Sequence, residues 1–147
     1  MTCFEIMNHI DEAPIAFAVV NYGGWGARPK GIILYSDGVL CSYERDQFPE
    51  IEDAVESIRP IGYAPQMVEE ILNLIRNNEE KISRFPEELR GDALDAGNTE
   101  INFHGKCCNA YALSCCPEGK EIIFWKDVIL CCIKRYGYYS YLKEIFY

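Results

Sequence analysis

The sequence has no long hydrophobic run and no recognisable export signal. A membrane-spanning helix needs about 18 or more consecutive apolar residues, and no stretch of the chain approaches that length. The first residues carry no basic segment, and Asp11 and Glu12 interrupt the apolar stretch that a signal peptide requires. The sequence therefore predicts a protein of a reducing, bacterial-type cytoplasm, with no membrane partner.

Basic residues are also scarce. The chain has 14 Lys and Arg against 23 Asp and Glu, which gives a formal net charge of −9 at pH 7. Binding to DNA, RNA or an anionic membrane surface requires clustered lysine and arginine. Nucleic acid is consequently not expected as a partner, whereas a basic protein surface is.

The motifs of common catalytic sites are missing. The sequence has neither G-x-S-x-G nor H-E-x-x-H, and no Walker lysine follows the glycine loop Gly23–Gly26. His9 and His104 are the only histidines that a cysteine nucleophile could use as its base. We predict no catalytic residue and no cofactor; a small enzyme that combines His104 with a nearby cysteine or with Asp95 is the alternative.

Cysteine is present, but not in a metal-binding pattern. Six of the eight cysteines form adjacent pairs, at 107–108, 115–116 and 131–132. Structural zinc sites usually rely on C-x₂₋₄-C spacing, which adjacent pairs do not provide. The cysteines are therefore interpreted as reduced core thiols, and a pair on a strand places one thiol inside and one outside. A zinc-stabilised interaction domain is the alternative.

The remaining composition is that of a globular protein. The chain has 147 residues, of which 49% are hydrophobic and 25% charged. This length lies near the commonest size of a domain and buries enough surface without metal or disulfide. A single domain covering residues 1–147 is expected.

Alternating and apolar segments predict two groups of strands. Residues 14–22 form a short apolar run, and residues 31–43 flank the turn sequence Ser36–Gly38, whose Asp-Gly pair favours a tight hairpin. A second hairpin is predicted from Thr99 onward, around Gly105 and Lys106. After a turn at residues 117–120, a further strand is predicted at Glu121–Trp125.

Three segments predict helices. Pro49–Ile58 and Pro65–Ile82 carry apolar residues with a helical period, and Asp127–Phe146 is expected to form a C-terminal helix. Because strands and helices come in runs, the predicted class is α+β. The expected architecture is a mainly antiparallel sheet of about six strands with two central helices and a C-terminal helix.

The negative charge is concentrated in the middle of the chain. Residues 44–100 hold fifteen acids and six bases, which equals the whole net charge. We interpret the acids of the two central helices as a surface for a basic protein, against the alternative of a solvated face. Trp25 beside the glycine loop is a candidate anchor, and the tyrosine-rich C-terminal helix a candidate homodimer contact. The predicted partner-binding residues are Glu50, Glu52, Asp53, Glu56, Glu69, Glu70, Glu79, Glu80 and Trp25.

Three stretches together resemble a group of small bacterial proteins. They are Ile33–Gly38, Phe85–Leu89 and Phe103–Lys106, read as ILYSDG, FPEEL and FHGK. The group is that of immunity proteins of toxin–immunity systems, of the contact-dependent inhibition type, and the resemblance spans residues 31–113. It implies a small, acidic, cytoplasmic, non-enzymatic protein that binds a cognate toxin domain and blocks its active site. The resemblance assigns a function to no particular residue, because the shared stretches are turns and helix ends.

Overall fold

A computed structural model describes residues 14–22, 29–45, 56–89, 98–111 and 117–146. Within these ranges seven strands form one sheet, in the order β4-β3-β2-β1-β6-β7-β5, and every pairing is antiparallel except that of the short β5. The strands are β1 Ile15–Tyr22, β2 Lys30–Tyr35, β3 Val39–Arg45, β4 Glu56–Tyr63, β5 Glu88–Leu89, β6 Asn98–Phe103 and β7 Lys106–Tyr111. The helices are α1 Pro65–Asn77, α2 Glu79–Ser83, α3 Pro117–Ile133 and α4 Tyr139–Phe146, with a π-helical turn at Lys134–Tyr138. The predicted α+β class is confirmed.

The centre of the sheet is buried on both faces. Successive side chains of a strand point to opposite faces, so Phe17 and Val19 of β1 lie on one face and Ala18 and Val20 on the other. All four are buried. This explains why β1 reads as a continuous apolar run rather than as an alternating one.

The helices pack on the Phe17 face of the sheet and form the main core with it. Helix α1 contributes Met67, Val68 and Ile71, which repeat with the helical period. Helix α3 contributes Ile122 and Ile129, both fully buried. Among the described residues, no helix is long and apolar enough to cross a membrane.

The opposite face of the sheet, here called the second face, carries its own apolar cluster. Alternate residues of β1, β2 and β3 form it, and each has 9% or less of its surface exposed. The cluster consists of Ala18, Val20, Ile33, Tyr35, Val39, Cys41 and Tyr43.

The helix predicted at Pro49–Ile58 is wrong over its last residues. Residues 49–55 lie outside the described part of the chain, but Glu56 to Tyr63 form strand β4. Pro60 lies inside this strand, where a proline is tolerated because β4 is at the edge of the sheet. The register with β3 also shifts between Leu40 and Cys41, opposite Pro60 and Gly62.

The strand predicted at Glu121–Trp125 is also wrong, because α3 begins earlier than expected. Pro117 opens this helix instead of a turn, since proline is well suited to the first helical position. The C-terminal helical segment thus starts ten residues before the predicted Asp127. It continues to Phe146 with a break at Gly137, whose φ of 99° is a conformation that favours glycine.

Candidate functional site

The structure places only some of the predicted partner-binding acids on helices. Glu69 and Glu70 lie on α1, and Glu79 and Glu80 on α2, whereas Glu56 opens β4 and is not helical. Glu50, Glu52, Asp53 and Trp25 lie outside the described residues. Within the described ranges, four of the predicted acids therefore lie on helices.

These four glutamates do not form a uniformly acidic face. Glu69 and Glu79 are exposed, while Glu80 accepts a hydrogen bond from Arg84 at 2.9 Å. Arg76 lies between Glu70 and Glu79 along the chain, and Lys81 follows Glu80. The described residues hold 14 of the 23 acids but 12 of the 14 bases, so their net charge is only −2. The surface is therefore of mixed charge.

Glu70 links two segments of the chain that are distant in sequence. Its Oε1 accepts a hydrogen bond from the Arg135 guanidinium at 2.9 Å, and its Oε2 accepts one from the Tyr136 hydroxyl at 2.9 Å. The Tyr136 hydrogen bond is the largest cause and lowers the pKa of the Glu70 carboxyl. Desolvation, the next largest, opposes it, and the hydrogen bond and charge of Arg135 lower the pKa further. Glu70 thus fastens α1 to the C-terminal segment, a pairing of residues 65 or more apart in sequence.

Replacing Glu70 by glutamine should make the thermal stability of the protein vary less with pH in the acidic range. The Glu70 carboxyl has a lower pKa in the folded protein than in the unfolded chain, where it is about 4.3, so its ionised form stabilises the fold at pH values above 4.3. This contribution disappears as the pH falls through the pKa of the folded state. At pH 7 we expect E70Q to lower Tm by only a few degrees, because exposed ion pairs are screened. Thermal unfolding of wild type and E70Q should converge near pH 2. The adjacent E69Q is the matched control and should leave Tm unchanged at both pH values.

Several aromatic side chains are exposed on the helical side of the molecule. Phe124 of α3 is 58% exposed, and Tyr136 and Tyr139 are 39% and 44% exposed. The Lys134 ammonium lies 4.6 Å from the centre of the Tyr139 ring, a cation–π contact. We call the side chains of Glu69, Glu70, Phe124, Tyr136 and Tyr139 the helical surface. Phe124 was missed as a surface residue because the sequence placed it in a strand.

Five of the eight cysteines lie in the described residues, and three of these are buried. Cys107 is exposed and Cys108 buried on β7, and the same holds for Cys131 and Cys132 on α3. Burial raises the pKa of Cys108 and of Cys132 to about 11, so these thiols are protonated at neutral pH. Within the described ranges no group of three or more His, Cys, Asp or Glu side chains is arranged to hold a metal ion.

The alternative cysteine–histidine site is not assembled in the β6–β7 hairpin. His104 lines a cavity of about 460 Å³ between the hairpin and the α1–α2 segment, together with Arg76 and Glu79. Cys107 instead lines a different cavity, on the second face of the sheet. The two side chains therefore do not share a pocket, and Asp95 lies outside the described residues.

The cavity on the second face is the larger of the two, at about 700 Å³. Its walls come from β1, β2, β3, β6 and β7, and they change from apolar at Ile33 and Tyr43 to polar at Asn102 and Asn109. This cavity could not be predicted from the sequence, because it depends on which residues of distant strands become neighbours. Its volume lies within the range of small-molecule sites.

Comparison with known proteins finds no relative of this chain. No protein-family model, no curated protein and no solved structure matches the chain.

Proposed function

We propose that this chain is a non-enzymatic, cytoplasmic binding protein of the immunity type, which neutralises a basic toxin domain by covering its active site. One observation carries the proposal: the Tyr136 hydroxyl contacts the Glu70 carboxylate at 2.9 Å, so exposed aromatic and acidic groups meet on one surface. Aromatic residues are enriched at protein interfaces, where they supply large rigid contact area with a polar tip. The resemblance to immunity proteins points to the same class of activity.

The acids and the aromatic residues have different roles in this proposal. Exposed carboxylates such as Glu69 and Glu79 attract a basic partner and orient it, which mainly raises the association rate. Phe124, Tyr136 and Tyr139 then lose their exposed surface to the partner and slow its dissociation. Because Tyr136 already donates a hydrogen bond to Glu70, which Arg135 also holds, little side-chain freedom is lost when the partner binds.

Reversing the exposed charges should weaken binding at low salt. The variant E69K/E79K is expected to bind the proposed basic toxin domain about tenfold more weakly at low ionic strength. Its affinity should also change less with salt, since fewer attractive charges remain to be screened. Isothermal titration calorimetry at several salt concentrations measures both effects.

The matched control is E87K/E100K, which changes the net charge equally but alters residues that line the second-face cavity. Equal weakening by both variants would show that only net charge matters and would contradict Glu69 and Glu79 as part of the contact. A further variant, H104A, separates binding from catalysis. It should protect cells from the toxin as well as wild type does, whereas loss of protection would favour a histidine-dependent enzyme.

A further inference from the structure

A further cavity, of about 280 Å³, lies between helix α4 and the strands β2, β3 and β4. Ser42 of β3 lines it and pairs with Ile32, a core residue of the Phe17 face, so the cavity opens on that face of the sheet. Tyr141 of α4 lines its other side. This cavity is separate from the second-face cavity and from the one beside His104.

The register of the strands brings five polar residues of this cavity together in two adjacent rows. In one row Lys30 pairs with Glu44, which in turn pairs with Ser57. In the next row Ser42 pairs with Arg59. Paired residues lie on the same face of a sheet, and neighbouring strands are about 5 Å apart, so these side chains share a patch about 10 Å wide. The patch forms the floor of the cavity.

The wall opposite this floor is aromatic and apolar. The Tyr138 ring packs directly on Gly62 of β4, where the Cβ atom of any other residue would overlap the ring, and this contact holds the start of α4 against the sheet. Tyr141 follows one helical turn later and brings its ring and hydroxyl to the cavity. Ile61 of β4 adds apolar surface that packs against the main core.

Positive charge exceeds negative charge in this cavity. Glu44 is the only carboxylate among the described lining residues, and its Oε1 lies 3.8 Å from the Nζ of Lys30. The Arg59 guanidinium has no ion-pair partner among the described residues, so its five N–H groups face the cavity or solvent. Lys30, Arg59 and Glu44 together give a formal charge of +1, in a chain whose net charge is −9.

We propose that this cavity binds a small aromatic carboxylate, independently of the protein-binding function argued above. The planar guanidinium of Arg59 pairs with the carboxylate through two parallel hydrogen bonds, and the hydroxyls of Ser42 and Ser57 donate to it. The aromatic ring of the ligand contacts Ile61 and the Tyr141 ring, where it leaves water. A monoanion neutralises the formal charge of the cavity, whereas a phosphate dianion would leave an excess of negative charge beside Glu44.

Titration of the isotope-labelled intact chain with benzoate at pH 7, followed by amide NMR signals, tests this proposal. The signals of Ser42, Ser57 and Arg59 should shift with one common dissociation constant, while those of β7 should not move. Benzyl alcohol keeps the ring but has no charge, and it should bind about tenfold more weakly or less. Inorganic phosphate at the same ionic strength should also bind more weakly than benzoate. Equal binding of benzyl alcohol or of phosphate would overturn the proposal.

Three variants make the test specific to this cavity. R59A should weaken benzoate binding about tenfold, whereas the control R84A removes an equally exposed arginine that pairs with Glu80 and should have no effect. E44Q should strengthen binding severalfold, because it removes a repulsive charge and leaves the Lys30 ammonium to the ligand. Circular dichroism confirms that each variant is folded, and E44Q decides the matter if R59A is not. Equal weakening by R59A and R84A, or no gain in E44Q, would contradict the proposed site.

Discussion

Replacing Gly31 by alanine is expected to lower the free energy of unfolding by about 3 kcal/mol, and by more if the strands separate. A Cβ atom at Gly31 would overlap the backbone carbonyl oxygen of Val19 and lie 2.8 Å from the Cα of Val20. These are backbone atoms of the central strand β1, so they cannot move aside as the end of a side chain can. Because Gly31 pairs with both Val20 and Tyr43, the displacement would spread to both neighbouring strands.

Urea denaturation of wild type and G31A measures this loss. Gly105→Ala is the matched control, since a Cβ at Gly105 meets nothing within 4 Å. Its φ of 97° is unfavourable for alanine, so G105A should cost only the conformational strain of about 1–2 kcal/mol. If G31A cost no more than G105A, the close approach of β1 and β2 would not be the reason for glycine at this position.

The parts of the fold that the sequence predicted correctly depend on local signals. The Asp-Gly pair at residues 37–38 lies in the tight turn between β2 and β3, where the Gly38 amide donates to the Tyr35 carbonyl at 3.0 Å. Likewise, β6 and β7 turn at His104 and Gly105, as their alternating pattern predicts. The helix predicted at Pro65–Ile82 is present as α1 and α2, interrupted at Asn78. Such signals need no knowledge of distant residues.

The two wrong elements both involve proline and short apolar runs. The first helix was predicted to end at Ile58, just before Pro60, but the edge position of β4 and its irregular register with β3 allow proline within a strand. The run at Ile122–Trp125 suggested a strand, because a short apolar run does not distinguish a strand from a buried helix. The spacing of buried Ile122, Ile129 and Ile133 over a longer window shows the helical period.

The candidate sites were predictable only in part. The sequence identified Glu70 as one acid among eight, but its contact with Arg135 and Tyr136 joins residues 65 and 66 positions apart. The second-face cavity was not predictable, since it arises where Ala18 and Ile33 come together with Glu100. Pairing of this kind depends on the strand order, in which β1 is followed by β6 rather than by another early strand.

Replacing Phe103 by alanine should be the most destabilising of the side-chain truncations considered. Phe103 is 1% exposed, and its ring centre lies 5.8 Å from those of both Phe17 and Phe85. Truncation would leave a cavity where β6, β1 and the segment after α2 meet, and such a change typically costs about 3–5 kcal/mol. Urea denaturation should show a lower midpoint with an unchanged slope if unfolding remains two-state.

Phe124→Ala is the matched control and connects this prediction to function. Phe124 is 58% exposed, so its truncation should change the free energy of unfolding by about 0.5 kcal/mol or less. The same change should weaken binding of the proposed basic partner, because an exposed aromatic residue at an interface is buried on association. F103A should therefore affect unfolding strongly and F124A should affect binding. A stability loss in F124A as large as that in F103A would mean that Phe124 packs in the core, and the helical surface would lose its principal aromatic contact.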